Sequence, residues 1–171
     1  EGKIYISLLK LPIEENPAAI YIHNVVSGSL DRVTSNTGNY QVSKLSHDGK
    51  RLAYSLHKDS KMQLFLSPDD SFSSEPINIS ESDDSVARGL SWAPDDSMIV
   101  YQTRKNWDGD PLDTESWNIF LYDVETKETI ALGVGAHPIF GPDGSLLVLM
   151  RDGLHRVTLD DSGEYIDTLV N

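Results

Sequence analysis

The chain has 171 residues, enough for one domain with a core of its own. Apolar residues make up 39% and charged residues 24%, which excludes a disordered tail. Fourteen basic against 27 acidic residues leave a formal charge of −13, which argues against nucleic acid and anionic membrane surfaces, because both call for clustered Lys and Arg.

The first residues, "EGKIYISL", already read as strand. Strands are expected over 3–9, 18–26 and 30–34, then over 40–45, 51–57, 62–67 and 76–80. A third set follows at 86–92, 97–103, 117–123 and 129–133, and a fourth at 137–140, 146–151, 153–159 and 164–170. The runs "IYISLL", "LAYSL", "MIVYQT" and "LLVLM" are rich in β-branched, aromatic and leucine residues and are bounded by Gly, Asp, Ser and Pro. Nothing shows a 3.6-residue period of helical length, so the chain reads as all-β. Cysteine is absent, which excludes disulfides and thiolate metal sites, and no apolar run reaches the roughly 20 residues of a membrane-spanning helix.

One turn is written three times, as "SHDG", "APDD" and "GPDG". Its aspartates, Asp48, Asp95 and Asp143, lie 47 and 48 residues apart, and a further step back of 47 reaches Glu1. In such a turn Pro presets φ, Asp bonds its own backbone and Gly takes the positive φ. His47 replaces Pro in the second unit, Asp96 replaces Gly in the third, and Asp tolerates the left-handed conformation better than most residues. A period near 47 lies in the range of β-propeller blades. The expected architecture is a β-propeller of four-stranded antiparallel blades. About four are present, at roughly 1–35, 36–80, 81–133 and 134–171, the first lacking its innermost strand. Residues 1–171 then form one propeller domain or a propeller fragment. Its end blades call for cover: the remaining blades of a longer chain, closure as a four-bladed ring, or self-association with a second copy.

"LSHDGKRLAYS", "LSWAPDDSMIVYQT" with "WNIFLYDVETKET", and "PIFGPDGSLLVLMRDGLHRV" resemble the TolB-type, WD40-like propeller repeat. That pattern has a hydrophobic-Ser-Pro-Asp-Gly turn, an apolar second strand and a third strand ending in Asp-x-x-Thr/Gly. The resemblance spans nearly the whole chain and implies the fold. Departures are His47 for Pro, Asp96 for Gly and Gly141 for Ser. It implies an extracytoplasmic setting, periplasmic or secreted, and a role in binding proteins or peptides. Similar propellers also form the gating domains of prolyl-oligopeptidase-type and tricorn-like peptidases, which is the alternative reading. Fold alone does not choose between them.

No catalytic constellation is visible, so an enzyme is not expected. "GLSWA" at 89–93 approximates a nucleophile elbow, but Ser91 precedes a β-turn where an elbow needs a helix. The bland reading is that Leu90 and Trp92 pack while Ser91 caps the turn. The five histidines, His23, His47, His57, His137 and His155, show no metal-ligand spacing. A propeller lyase or glycosidase needs a carboxylate pair or a metal at the axis, and the first strands offer Arg88 and His137 instead.

The segment "RKNWDGDPLDTES", 104–116, is an insertion between second and third strands. Its counterpart in the fourth unit is a two-residue hairpin, read as Asp152-Gly153. Asp108, Asp110, Asp113 and Glu115 carry oxygen ligands of the kind Ca²⁺ takes, without the EF-hand spacing. A solvated loop is the preferred reading, and no cofactor or metal is expected. In an up-and-down blade this loop shares a face with the inter-blade segments 35–39, 80–85 and 133–137. That gathers Glu81, Asp83, Asp84, Asp108, Asp110 and Asp113 on one rim, with Trp107 and Trp117 near it beside Arg104 and Lys105, and Arg88 and His137 of the first strands as further partner-binding candidates. The bland reading is that Trp117 begins the buried part of a third strand and Trp107 covers the loop. An aromatic among charges on a loop face suits recognition of a protein or peptide.

Overall fold

In a computed structural model the repeated turn is built as its chemistry demands. The structure describes residues 3–8, 19–34, 39–58, 60–69, 74–80, 86–106, 110, 113–159 and 165–170. Asp48 Oδ1 accepts from Lys50 N at 3.0 Å and Ser46 Oγ at 2.7 Å. Asp95 Oδ1 accepts from the amide and hydroxyl of Ser97 at 3.1 and 2.7 Å, and Asp143 Oδ1 from those of Ser145 at 3.1 and 2.6 Å. Each carboxylate therefore finds one hydroxyl, from before the turn in the second unit and from after it in the third and fourth. Gly49, Asp96 and Gly144 take φ of 74°, 60° and 81°, so the Asp substitution leaves the turn intact.

The chain divides into two compact units, Glu1–Glu81 and Ser82–Asn171. The first holds a three-stranded antiparallel sheet, β1 (Lys3–Leu8), β2 (Ala19–Asn24) and β3 (Leu30–Arg32). Strands β4 (Asn39–Leu45), β5 (Leu52–Lys58), β6 (Lys61–Leu66) and β7 (Ile77–Asn78) follow, each paired antiparallel with the next. Ile20, Tyr40, Leu52 and Tyr54 form the unit's core. The Tyr40 and Tyr54 rings meet edge to face at 5.5 Å, and burial pushes both phenols up.

The second unit holds two four-stranded antiparallel sheets. One runs through β8 (Val86–Trp92), β9 (Met98–Arg104), β10 (Asn118–Asp123) and β11 (Thr129–Val134). The other runs through β12 (Ala136–Phe140), β13 (Leu146–Met150), β14 (Gly153–Leu159) and β15 (Tyr165–Leu169). Chain order is sheet order in both, as expected of blades. Val100, Ile119 and Leu121 of the third sheet pack on Leu146, Val148 and Val157 of the fourth.

Two details depart from the sequence reading. The bond closing the turn runs from Ser46 N to Arg51 O and from Ala93 N to Met98 O, but from Gly141 N to Ser145 O at 2.7 Å. The fourth turn is one residue shorter, so Leu146 pairs with Phe140 as Ile99 pairs with Trp92 and Leu52 with Leu45. Gly141, a departure from the repeat pattern, makes this possible: a Cβ there would lie 2.8 Å from Asp143 Oδ1. The hairpin of the fourth sheet also turns one residue earlier than expected. Gly153 already pairs with Met150, leaving Arg151 and Asp152 as the two-residue loop.

All three complete sheets carry a β-bulge in the first strand, between Tyr40 and Ser43, Arg88 and Ser91, and Ala136 and Ile139. Within the last two bulges Gly89 takes φ 68° and His137 φ 53°. Bulges re-aim side chains and end regular pairing.

Candidate recognition site at the end of the third sheet

Trp117 opens the third strand of its sheet just after a 3₁₀ turn, Thr114–Ser116, whose start is capped by Asp113 Oδ1 accepting from Glu115 N at 3.0 Å. Its side chain is fully buried, against Val86 and Ala136. Arg88 Cζ lies 4.3 Å and Arg104 Cζ 4.5 Å from the indole centroid. Each such contact contributes about 0.5–2 kcal/mol according to desolvation. Burial, with the Arg104 charge as a lesser cause, draws the Arg88 guanidinium below its ordinary range. Arg88 is half-buried and pairs with no carboxylate among the described residues. The buried Nε1 of Trp117 likewise has no hydrogen-bond partner among them.

Gln102 ties this cluster to the fourth sheet. It sits opposite Arg88 in the strand pairing, is buried, and its Oε1 accepts from His137 N at 2.5 Å. Gly89 makes room for it, since a Cβ there would lie 3.2 Å from the Gln102 amide carbon. Gly135 N donates to Trp117 O at 3.0 Å, placing the 133–137 segment beside the end of the insertion. His137 is exposed and held in the left-handed region, a conformation that non-glycine residues keep only where the surroundings impose it.

The insertion is anchored at both ends. Arg104 Nη1 donates to Asp110 O at 3.4 Å, and Arg151 of the neighbouring hairpin meets Glu115 at 3.2 Å. An open cleft of about 470 Å³ lies between Asp113–Glu115 and residues 149–153. Arg88, Arg104, Asp110, Asp113 and His137 are thus described, with the Asp113 carboxylate engaged in its cap. Trp107, Asp108, Glu81, Asp83 and Asp84 lie outside the described residues, as do 109, 111 and 112 of the loop weighed for Ca²⁺. Among the described residues no group of three or more His, Asp or Glu forms a metal-binding cluster.

Sequence reasoning missed Gln102 and the stacking on Trp117. Their signal was a polar Gln-Thr-Arg ending to an otherwise apolar strand. The role expected of Ser91 is corrected: its Oγ does not cap the turn but accepts from Phe140 N at 3.2 Å, a second tie between the sheets. Leu90 and Trp92 are buried as expected. His155 is a structural histidine, its ring nitrogens 2.8 Å from Asp152 and 3.1 Å from Asp167. At the opposite end, a groove of about 650 Å³ between the Pro94 and Pro142 turns is floored by Met98, Leu121, Phe140 and Tyr165.

Comparison with solved structures places this architecture. The β-propeller domain of the Trilobed protease from Pyrococcus furiosus matches all of the chain with a TM-score of 0.69 at 16% identity, over 55% of its own length. TolB from Acinetobacter baumannii matches 97% of the chain with a TM-score of 0.65 at 16% identity, over 40% of its length. The fold is that of a TolB-like β-propeller. Oligogalacturonate lyase from Vibrio parahaemolyticus matches 98% of the chain with a TM-score of 0.64 at 15% identity, over 50% of its length. The propeller chain therefore spans about half the length of these structures or less. No protein-family model and no curated protein matches it. Among the described residues no helix is long and apolar enough to cross a membrane.

Proposed function

We propose that this propeller chain is a non-catalytic interaction module that binds a protein or peptide through the face carrying the 104–116 insertion. The observation that carries the reading is the Arg88–Trp117–Arg104 cluster beside that insertion. Arg and Trp are the residues over-represented where binding energy concentrates, and loops on a rigid sheet scaffold are where recognition residues gather. The anchors from Arg104 to Asp110 and from Arg151 to Glu115 limit the ordering cost of binding. An extracytoplasmic setting goes with this reading.

A second reading is supported by the peptidases among the similar structures. Tricorn protease matches 96% of the chain over 16% of its own length, and an acylaminoacyl peptidase from Pyrococcus horikoshii matches all of it over 31%. On that reading the same face gates or positions a peptide for a catalytic domain.

An array of immobilised nonapeptides tests both. Wild-type chain is expected to retain a subset of peptides. Replacing 105–113 with a two-residue Asp-Gly turn should reduce that signal by roughly tenfold or more, with the melting transition retained. An unchanged signal, or no peptide retained by the wild type, would overturn the proposal.

A further inference from the structure

We infer that the end of the third sheet is a carboxylate-binding site, with Arg88 as its anchor and the acidic group of a peptide as its ligand. This rests on the interaction reading above and deepens it.

Arg88 is half-buried, yet among the described residues its guanidinium meets an indole face and no carboxylate. A ring face attracts a cation but does not neutralise it, and a second guanidinium, that of Arg104, crowds the same ring. Partly desolvated charges are ordinarily paired. The chain has 27 acidic residues against 14 basic ones, so carboxylates are not scarce. In the insertion the Asp113 carboxylate caps the 3₁₀ turn, Glu115 meets Arg151, and Asp110 lies beside Arg104. Arg88 is thus a half-buried cation, on a strongly acidic protein, that no described carboxylate meets.

The surroundings favour a planar anion. Arg88 is partly accessible, and a guanidinium offers a fork of N–H donors matched to a carboxylate. Trp117 supports the guanidinium at 4.3 Å, and Gln102 is held by its bond to His137 N. His137, on the neighbouring strand, is exposed and presented by a left-handed backbone. Such fixed donors lose little freedom on binding. General electrostatics would select the opposite ligand, since a net charge of −13 repels acidic peptides. A preference for acid therefore has to arise locally.

The nonapeptide array gives the readout. Retained sequences should be enriched in Asp or Glu. Changing that residue to Gln or Asn in one retained peptide should weaken its Kd roughly thirtyfold or more, as should Arg88→Gln, while Arg88→Lys should lose less. Amidated and free-acid versions of the peptide separate a side-chain carboxylate from a chain terminus, and glutarate tests a free small acid. Peptides retained without acid preference, or an acidic peptide held equally by Arg88→Gln, would overturn the inference while leaving the interaction module standing. Glutarate bound through Arg88 with no peptide retained would keep the carboxylate site and sink the peptide as its ligand. Binding of neither would overturn both. If Arg88→Gln fails to fold, the acid-to-amide change in the peptide still decides.

Discussion

The third and fourth sheets carry the same repeat, yet one face has different fates in the two. In the third, Val100, Ile119 and Leu121 are at most 3% exposed, because the fourth sheet packs on them. The equivalent positions of the fourth, read from strand pairing, are Leu147, Leu154 and Arg156. Leu154 is 40% exposed, Ile139, which pairs with Leu147, is 54%, and Arg156 is exposed. A blade face is therefore made apolar by its place in the repeat, and its energetic weight depends on whether a neighbour covers it.

The largest difference is expected between Ile119→Ala and Leu154→Ala. The first should cost about 2–5 kcal/mol, as core truncations do, and the second about 1 kcal/mol or less, measured as midpoint shifts in urea. Equal costs would mean that something covers the fourth sheet's face in solution. A smaller contrast separates two glycines. Gly144→Ala at φ 81° meets nothing within 4 Å and should cost about 1 kcal/mol from backbone strain alone. Gly89→Ala adds a contact 3.2 Å from Gln102, so it should cost more, and should also speed hydrogen exchange at the His137 amide that Gln102 holds.

The smallest effect concerns acid. Serine hydroxyl bonds hold the Asp95 and Asp143 carboxyls below their ordinary range. A depressed folded-state pKa gives stability that is present above the unfolded value of about 4 and lost as pH falls through the folded one. Asp95→Asn and Asp143→Asn should each flatten the decline in urea midpoint below about pH 4, and by similar amounts, because each carboxylate accepts the same two bonds from the serine after its turn. A flattening in only one sheet would show that the likeness of the turns stops at geometry.

Much of this was legible in advance because turns and strands are local. The Asp-centred corners announced themselves through Asp48, Asp95 and Asp143, and apolar runs between them left little freedom of assignment. The one-residue shortening at Gly141 was not legible, since it depends on where Ser145 Oγ and Asp143 settle in space. For the site, Arg88, Arg104 and His137 stood out as charged or polar residues at strand ends. Trp117 was legible as the buried start of a third strand, but its stacking with Arg88 and Arg104 was not, and Gln102 did not stand out, because its role comes from a neighbouring sheet. Ser91 was misjudged for the same reason: its partner, Phe140 N, lies 49 residues away.

Amide shift mapping by NMR, with an acidic peptide selected on the array, tests the central claim most directly. The expected result is a contiguous patch of perturbed amides at Arg88, Lys105, Thr114–Trp117 and His137. Perturbations gathered instead at Asp95–Ser97 and Asp143–Ser145, around the groove at the opposite end, would contradict it.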